Sequence, residues 1–139
     1  MIYLVLGSNK GDREWNLEQA LALLAERLKV DMLRSRVIET AAIGFDGQPF
    51  LNQAVCFECD IQPEELLDVC QDVEVRLGRA RHGAVFDPST GARVYTDRTI
   101  DIDILTFNDL EIHTDRLEIP HPQLWERPYV KELLNDITI

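Results

Sequence analysis

The chain has 139 residues, of which 45% are hydrophobic and 28% are charged, and its formal net charge at pH 7 is −11. This composition excludes a disordered chain and predicts one globular domain, residues 1–139, with a contiguous core. The negative charge argues against general nucleic-acid binding, which needs Lys and Arg over a broad surface. An anionic ligand would therefore need a local basic patch.

Signals for export and for membrane insertion are missing from the sequence, since it has no charged leader and no apolar run of membrane-spanning length. The three cysteines are an odd number, which favours reduced thiols over disulfides. Cys56 and Cys59 have CxxC spacing, but no second pair exists, and we interpret them as core residues rather than zinc ligands. These features predict a soluble, cytoplasmic protein.

Hydrophobic periodicity in the first half of the chain predicts three strands and one helix. The strands are expected at residues 2–7, 31–40 and 50–58. A turn at residues 8–12 precedes an amphipathic helix over residues 15–28. Its apolar positions repeat at helical spacing and should face the core: Leu17, Leu21, Leu24 and Leu28.

The second half predicts one more helix and one more strand. Pro63 suits the first turn of the helix and Gly78 its end. Four apolar side chains in this helix repeat at helical spacing: Leu66, Val69, Val73 and Leu77. The fourth strand is RTIDIDIL, residues 98–105.

The predicted order β-α-β-β-α-β is typical of a ferredoxin-like α+β sandwich, with an antiparallel sheet and helices on one face. Residues 82–97 are rich in Gly, Pro, Ser and Thr and show no period. A loop of this length in a compact domain is usually functional or disordered. Because the fold hosts many unrelated functions, the element order alone does not indicate an activity.

The strand RTIDIDIL carries two acidic residues on one face. Strand side chains alternate, so Ile100, Ile102 and Ile104 share one face, and Asp101 and Asp103 share the other. The two carboxylates should lie about 6–7 Å apart along the strand. That spacing suits Mg²⁺, which takes few protein ligands and completes its shell with water and phosphate oxygens. The alternative is a solvated face of an amphipathic strand.

Basic residues gather around the long loop of an otherwise acidic chain. They are Arg76, Arg79, Arg81, Arg93 and Arg98. Guanidinium groups match phosphate oxygens bidentately, so arginines near a carboxylate pair favour a metal-bound triphosphate. A solvated cluster paired with nearby acids is the alternative. GSNKG lacks the ending of a P-loop, and we interpret Gly7 and Gly11 as turn glycines that would let the backbone approach a ligand.

Several segments, taken in order, resemble one enzyme family. They are LGSNKGDREWNLEQAL, FLNQAV, GRAR followed by RTIDIDIL, and IPHP followed by ERPYV. Together they resemble the 6-hydroxymethyl-7,8-dihydropterin pyrophosphokinases over residues 2–130. The resemblance implies the ferredoxin-like fold, an enzyme of folate biosynthesis, and transfer of the β,γ-diphosphate of ATP to the pterin hydroxymethyl group with release of AMP. It also implies two Mg²⁺ ions bridged by Asp101 and Asp103.

The resemblance further implies three groups of site residues. The catalytic group is Arg79, Arg81, Arg98, Asp101 and Asp103. The ATP-binding group is Gln71, Glu74, Arg98, Ile102, Arg116, His121 and Arg127. The pterin-binding group is Thr40, Ile43, Phe50, Asn52, Asp101 and Tyr129, with Phe50 and Tyr129 stacking on the heterocycle. For Gln71 and Glu74 the alternative is an exposed polar position on a helix.

The implied reaction is in-line attack by the substrate hydroxyl on the β-phosphorus. No residue stands out as a general base, so we expect a metal-polarised hydroxyl. Residues 82–97 would close over ATP, inserting Arg81 or Arg93. Ala42 and Leu133 occupy positions where the family commonly has proline, and the tail after Val130 is short. Loss of a proline loosens the pterin loop.

Two other functional classes fit parts of the sequence. A non-catalytic nucleotide or metal sensor would keep the site without turnover. A single-stranded RNA binder would use aromatic side chains on the sheet, but the net charge opposes it. We expect a monomer that binds ATP and the pterin and neither nucleic acid nor membrane. His82 and His113 are expected at the surface.

Overall fold

The computed structural model describes residues 1–41, 48–78, 85–86, 93–94, 99–122 and 126–137, with only the backbone described at 85–86 and 93–94. These residues form a mixed α/β structure with three helices and antiparallel sheets. The strands are β1 (Ile2–Ser8), β2 (Leu33–Arg34), β3 (Ile38–Thr40), β4 (Phe50–Phe57), β5 (Val85–Phe86), β6 (Arg93–Val94), β7 (Asp101–Phe107), β8 (Ile112–His113) and β9 (Glu118–Ile119). The helices are α1 (Arg13–Leu28), α2 (Pro63–Arg76) and α3 (Pro128–Asn135).

The main sheet has the strand order β2-β4-β1-β7, and β3 also pairs with β4. All these pairings are antiparallel. The arrangement is compatible with the predicted ferredoxin-like order. Two smaller antiparallel sheets, β5-β6 and β8-β9, accompany it. The first of these lies within the segment predicted as an irregular loop, so that segment contains one short pair of antiparallel strands.

Capping and turn residues set the ends of the first two helices. Asp12 caps α1 by accepting a hydrogen bond from the Trp15 N–H at 3.1 Å, so the helix starts two residues before the predicted position. Pro63 lies in the first turn of α2, as predicted. Gly78, just beyond α2, has φ of +106°, a conformation that glycine adopts without strain.

One face of the sheet packs against α1 and α2. Its main core combines Ile2, Leu4 and Leu6 of β1 with Ile102 and Ile104 of β7. The predicted helix positions that are fully buried in this core are Leu17, Leu21, Leu24, Leu66 and Val73. The remaining predicted positions, Leu28, Val69 and Leu77, pack against it half-buried. The predicted periodicity is therefore confirmed.

The opposite face of the sheet is covered in part by α3. Val130, Leu133 and Ile137 are buried against Val5 and Leu105. The prediction that helices lie on one face only is therefore wrong. Pro128 begins α3, and the apolar residues after it recur at helical spacing, which gives this short helix its own hydrophobic stripe.

The strand predicted at residues 31–40 is divided into β2 and β3 around Ser35. The Ser35 N–H donates to the Ala54 carbonyl at 2.9 Å, and its hydroxyl accepts from the Ala54 N–H at 2.8 Å. The next amide, of Arg36, donates to the Asp136 carboxylate at 2.8 Å. Side chains thus replace backbone partners in the ladder, so the prediction of one continuous strand is wrong.

Two further predictions need correction. Gly7 is not a turn residue, because it lies in β1 and pairs with Asn52 and Asp101, whereas Gly11 does occupy the turn with φ of +68°.

The strand predicted over residues 98–105 begins at Asp101 and continues to Phe107, while Thr99 and Ile100 precede it. The main-chain pairing with β1, rather than the apolar pattern, sets these limits.

All three cysteines are free thiols. Cys56 and Cys59 pack against opposite cores, so their CxxC spacing does not create a common site. Burial raises the pKa of Cys70, which stays protonated inside α2. In the part of the chain that the structure describes, no helix is long and apolar enough to cross a membrane.

Candidate active site

A row of three paired residues crosses the sheet on the face away from α1 and α2. Gly7 of β1 pairs with Asn52 of β4 on one side and with Asp101 of β7 on the other. Neighbouring strands lie about 4.8 Å apart, so the two polar residues flank a glycine that has no side chain. A Cβ atom at Gly7 would lie 3.3 Å from Asn52 Oδ1 and 3.4 Å from Phe50 Cδ1. Gly7 itself is buried. We call the group formed by Gly7, Phe50, Asn52 and Asp101 the trough.

Asn52 is held rigidly at one side of the trough. Its amide nitrogen donates to the Thr40 hydroxyl at 2.9 Å and to the Ile38 carbonyl at 3.1 Å. The residue is 4% exposed. A buried amide in an apolar strand needs hydrogen-bond partners, and Thr40 and Ile38 supply them. The bonds fix the plane of the amide, and its oxygen points toward Gly7.

Aromatic residues accompany the trough. Phe50 begins β4 and is half-buried, and Tyr129 lies in the first turn of α3, packed against the second core. The Tyr129 hydroxyl accepts a hydrogen bond of 3.0 Å from Arg127. A flat aromatic ligand finds ring surfaces and in-plane polar groups in the same region.

Asp101 and Asp103 share one face of β7, as predicted, and both are half-buried. Ile102 and Ile104 point the other way into the main core. Among the described residues there is no cluster of three or more His, Cys, Asp or Glu side chains that could hold a metal ion. Two carboxylates nevertheless fit Mg²⁺, which takes its remaining ligands from water and substrate phosphates.

A cavity of about 360 Å³ adjoins β7. It is lined by Leu67, Ile102, Asp103, Ile104, Thr114, Asp115, Arg116, Leu117, Glu118, His121 and Pro122. It brings together four of the residues predicted to hold ATP or metal: Ile102, Asp103, Arg116 and His121. In the described part of its lining, three carboxylates face one guanidinium. A polyphosphate would therefore need additional cations to enter.

Arg116 lies between β8 and β9 and is anchored to α2. Its guanidinium contacts Glu64 at 2.9 Å and Asp68 at 2.7 Å. The hydrogen bond with Asp68 raises the pKa of Arg116 above its usual range. These bonds hold the cation at the mouth of the cavity, although the side chain is half exposed and the pairs are weak.

His121 and Arg127 are electrostatically linked to the aspartates. Burial lowers the pKa of His121, and the neighbouring charge of Arg127 lowers it further, while Asp101 opposes this. Burial alone would lower the pKa of Arg127, but its hydrogen bond with Tyr129 and the charge of Asp103 raise it. At neutral pH, His121 is therefore an uncharged hydrogen-bonding group, and Arg127 is a permanent cation.

The two α2 residues predicted to contact the nucleotide, Gln71 and Glu74, lie in different environments. Glu74 is 7% exposed, and its carboxylate accepts a hydrogen bond of 2.8 Å from the Ile102 N–H. For Glu74 the alternative of an exposed helix position is therefore wrong, since it joins α2 to β7. Gln71 is exposed. Neither side chain lines the cavity.

Some predicted residues lie outside the described part of the chain. They are Ile43, Arg79, Arg81 and Arg98, together with the loop position Ala42. Arg93 is described only as backbone in β6. His113 is exposed, as predicted, whereas His82 also falls outside the described residues.

Sequence reasoning gave Gly7 two places and missed one residue near the trough. Gly7 was included in the predicted strand 2–7 and also interpreted as a turn glycine, and the structure confirms the strand position. Arg13 was not singled out, yet it donates to the Pro49 carbonyl at 2.7 Å and to Glu39 at 3.1 Å. The available signal was an arginine in the first turn of a helix, where the helix dipole disfavours a cation.

Comparison with known proteins gives a consistent result over nearly the whole chain. Residues 3–139 match the family model of 7,8-dihydro-6-hydroxymethylpterin-pyrophosphokinase. A 2-amino-4-hydroxy-6-hydroxymethyldihydropteridine pyrophosphokinase of Porphyromonas gingivalis is 38% identical over 99% of this chain and 90% of its own length. The Bacillus subtilis protein of the same name is 40% identical over 97% of this chain and 76% of its own length.

A folate synthesis bifunctional protein of Arabidopsis thaliana is 34% identical over 98% of this chain, which corresponds to 26% of that longer protein. The matched residues include those of the trough and those that line the cavity. The chain belongs to the 7,8-dihydro-6-hydroxymethylpterin-pyrophosphokinase family.

Proposed function

We infer that this chain is the pyrophosphokinase that its family names. It transfers a diphosphate from ATP to the hydroxymethyl group of 6-hydroxymethyl-7,8-dihydropterin in folate biosynthesis and releases AMP. One structural observation carries the assignment to this site: two aspartates on one strand face connect the trough to the cavity. Asp101 belongs to the row that contains Gly7 and Asn52, and Asp103 lines the cavity.

We propose that the trough binds the pterin. Phe50 and Tyr129 would stack on the ring, and Asn52 would form a hydrogen bond with its polar edge. Thr40 supports this indirectly, because its hydroxyl holds the Asn52 amide. The missing side chain at Gly7 leaves room for the Asn52 amide and the Phe50 ring, which a Cβ atom there would meet at 3.3 and 3.4 Å. The predicted contact with Ile43 and the stacking geometry remain predictions.

The triphosphate of ATP is assigned to the cavity. Arg116 and His121 line it, and the charge of Arg127 acts on His121 nearby. Asp101 and Asp103 would hold Mg²⁺, expected as two ions. When bound, the metal would neutralise the polyphosphate and polarise the attacking hydroxyl. Gln71, Glu74 and Arg98 are retained as predicted nucleotide contacts, although the hydrogen bond of Glu74 to Ile102 supports a structural role for that residue.

The proposed reaction is an in-line displacement at the β-phosphorus. The pterin hydroxyl oxygen forms a bond to this phosphorus, and the bond to the oxygen that bridges the α and β phosphates breaks. That oxygen leaves with AMP, and the hydroxyl proton is released. The chain's own part is to position both substrates and to balance charge. Arg79 and Arg81, with Arg93 as an alternative, are expected to complete the site when residues 82–97 close.

The test is to incubate purified protein with ATP, Mg²⁺ and 6-hydroxymethyl-7,8-dihydropterin and to separate the nucleotides by chromatography. We expect AMP and pterin diphosphate in equal amounts, without ADP. Reactions lacking the pterin, and reactions with EDTA, serve as controls. ATP binding without AMP formation would instead support the nucleotide-sensor alternative.

Several accompanying properties are proposals from the sequence. They are the ferredoxin-like topology, a cytoplasmic location, a monomeric state, and the absence of nucleic-acid and membrane partners. The acidic net charge of −11 supports the exclusion of nucleic acid.

A further inference from the structure

Arg13 joins both ends of the segment that connects β3 to β4. One guanidinium nitrogen, Nη1, donates to Glu39 Oε2 at 3.1 Å and to the Pro49 carbonyl at 2.7 Å. Glu39 belongs to β3, and Pro49 directly precedes β4. The donor lies on a third element, α1, so three elements meet at this one side chain.

The guanidinium reaches the strands from the side opposite the trough. In the β3-β4 ladder, Thr40 pairs with Phe50, and Glu39 pairs with Leu51. Since side chains alternate along a strand, Glu39 points away from the face that carries Thr40, Phe50 and Asn52. Arg13 therefore does not contact a ligand in the trough. It acts on the strand ends from behind.

Local helix energetics do not explain an arginine here. Arg13 is the first residue of α1, where the positive end of the helix dipole disfavours a cation and favours an acidic residue. Its side chain is 24% exposed, against 56% for Glu39. The bond to the Pro49 carbonyl is shorter than the ion pair, so we expect it to be the stronger of the two contacts.

A second arginine–glutamate ion pair joins α1 to the sheet without contacting the β3–β4 connection, and it serves as a control for Arg13. Arg34 of β2 contacts both oxygens of Glu18 at 3.1 and 3.0 Å, and Glu18 lies on α1. This pair also joins α1 to the sheet, and both side chains are exposed, at 40% and 62%. It does not touch β3 or the start of β4. Its loss should therefore affect the attachment of α1 but not the trough.

We propose that Arg13 is a positioning residue for the pterin. It fixes the spacing between the end of β3 and the start of β4. It thereby sets the positions of Phe50 and Asn52 in the trough and of Thr40, which holds the Asn52 amide. This inference rests on the proposed function, since it assigns a specificity role within the same reaction. The effect acts on the pterin site and not on the ATP cavity.

The test compares Arg13→Met with Arg34→Met, both of which keep an aliphatic side chain and remove the cation. We expect Arg13→Met to raise the KM for the pterin about tenfold and to change kcat and the KM for ATP by less than about twofold. Arg34→Met should leave all three constants near the wild-type values. Arg13→Lys, which can still donate to Pro49, should recover part of the pterin affinity.

A second measurement does not depend on turnover. Amide hydrogen exchange of the free protein should be faster at residues 38–41 and 48–52 in Arg13→Met, and unchanged there in Arg34→Met. Thermal unfolding of both variants controls for general destabilisation.

Equal KM values for the pterin in the two Met variants would overturn the proposal. So would a joint rise in both KM values with Arg13→Met. Failure of the wild-type protein to form AMP would instead refute the proposed function, and the exchange experiment would still decide whether Arg13 fastens the two strand ends.

Discussion

The two faces of the main sheet are built from the same strands but serve different ends. The face under α1 and α2 is mostly apolar, with Leu4, Leu6 and Ile104 almost completely buried. The other face is covered in part by α3, which packs near Val5, Ala54 and Leu105. On the same face, Gly7, which has no side chain, pairs with Asp101.

Strand β7 shows what this difference teaches. Successive residues alternate between isoleucines that stabilise the fold and aspartates that repel each other across about 6–7 Å. The isoleucine side contributes burial of apolar surface, and this holds the aspartate side in place. Stability and activity should therefore be separable by substitutions on opposite faces.

The largest expected effect comes from the aspartate face. Asp103→Asn should lower kcat about 10³-fold if Asp103 holds the metal as proposed, because about 4 kcal/mol of transition-state stabilisation would then depend on its charge. The free energy of unfolding should change by less than about 1 kcal/mol, since the side chain is half-buried. Steady-state AMP formation and urea unfolding measure the two quantities.

Asp115→Asn is the matched control for this substitution. It removes the same charge from the lining of the same cavity but not from β7. Its kcat should stay within about threefold of the wild-type value. Comparable losses in both variants would contradict a specific metal role for Asp103.

The next largest effect is expected on the apolar face of the sheet, where a core substitution should lower stability rather than activity. Leu21 is fully buried in the main core, and Leu21→Ala should lower the free energy of unfolding by about 3 kcal/mol through lost burial and a cavity. Activity per folded molecule should persist. Leu23→Ala, at a partly buried position of the same helix, should cost clearly less. A folded Leu21→Ala protein without turnover would show that the two faces are not separable.

A smaller effect is expected at the trough. The added methyl group of Gly7→Ala would press on Asn52 and Phe50. The KM for the pterin should rise about tenfold, equivalent to about 1.4 kcal/mol, while the KM for ATP stays near its wild-type value. Stability should change little, because alanine costs less backbone entropy than glycine in a strand. An unchanged pterin KM would place the ligand elsewhere.

The smallest effect concerns pH. Burial lowers the pKa of His121 in the folded protein, so the unfolded chain binds the proton more tightly. Stability should therefore be unaffected above the unfolded-state pKa of about 6.5 and should decrease as the pH falls from there toward the lower folded-state pKa. Urea unfolding at pH 7.5 and 5.5 should show a weaker acid dependence for His121→Gln. His113→Gln, at an exposed histidine, should behave as wild type.

Patterns within one segment predicted much of the fold and the positions of the aspartates in β7. The alternation in DIDIL placed the aspartates on one face, and leucine spacing placed α1 and α2 correctly. What failed depended on partners distant in sequence. The division at Ser35 requires Ala54 and Asp136 as hydrogen-bond partners, and no local period encodes them.

The third helix and the acidic residue on α2 show the same limit. The tail after Val130 was interpreted as a short extension, although Val130, Leu133 and Ile137 lie at helical spacing behind a proline. Glu74 was predicted from the resemblance as a nucleotide contact, but its partner in the structure is a backbone amide of β7. Burial of a carboxylate cannot be predicted without knowing which donor it meets.

This carboxylate has a consequence for how the protein behaves at high concentration. β7 is the last strand of the main sheet, and an edge strand with open amides can recruit strands from other molecules. Glu74 occupies the Ile102 amide, and the His121 amide occupies the Leu105 carbonyl at 2.9 Å. Two main-chain groups that a foreign strand would need are thus already bonded, which protects the β7 edge of the sheet against aggregation.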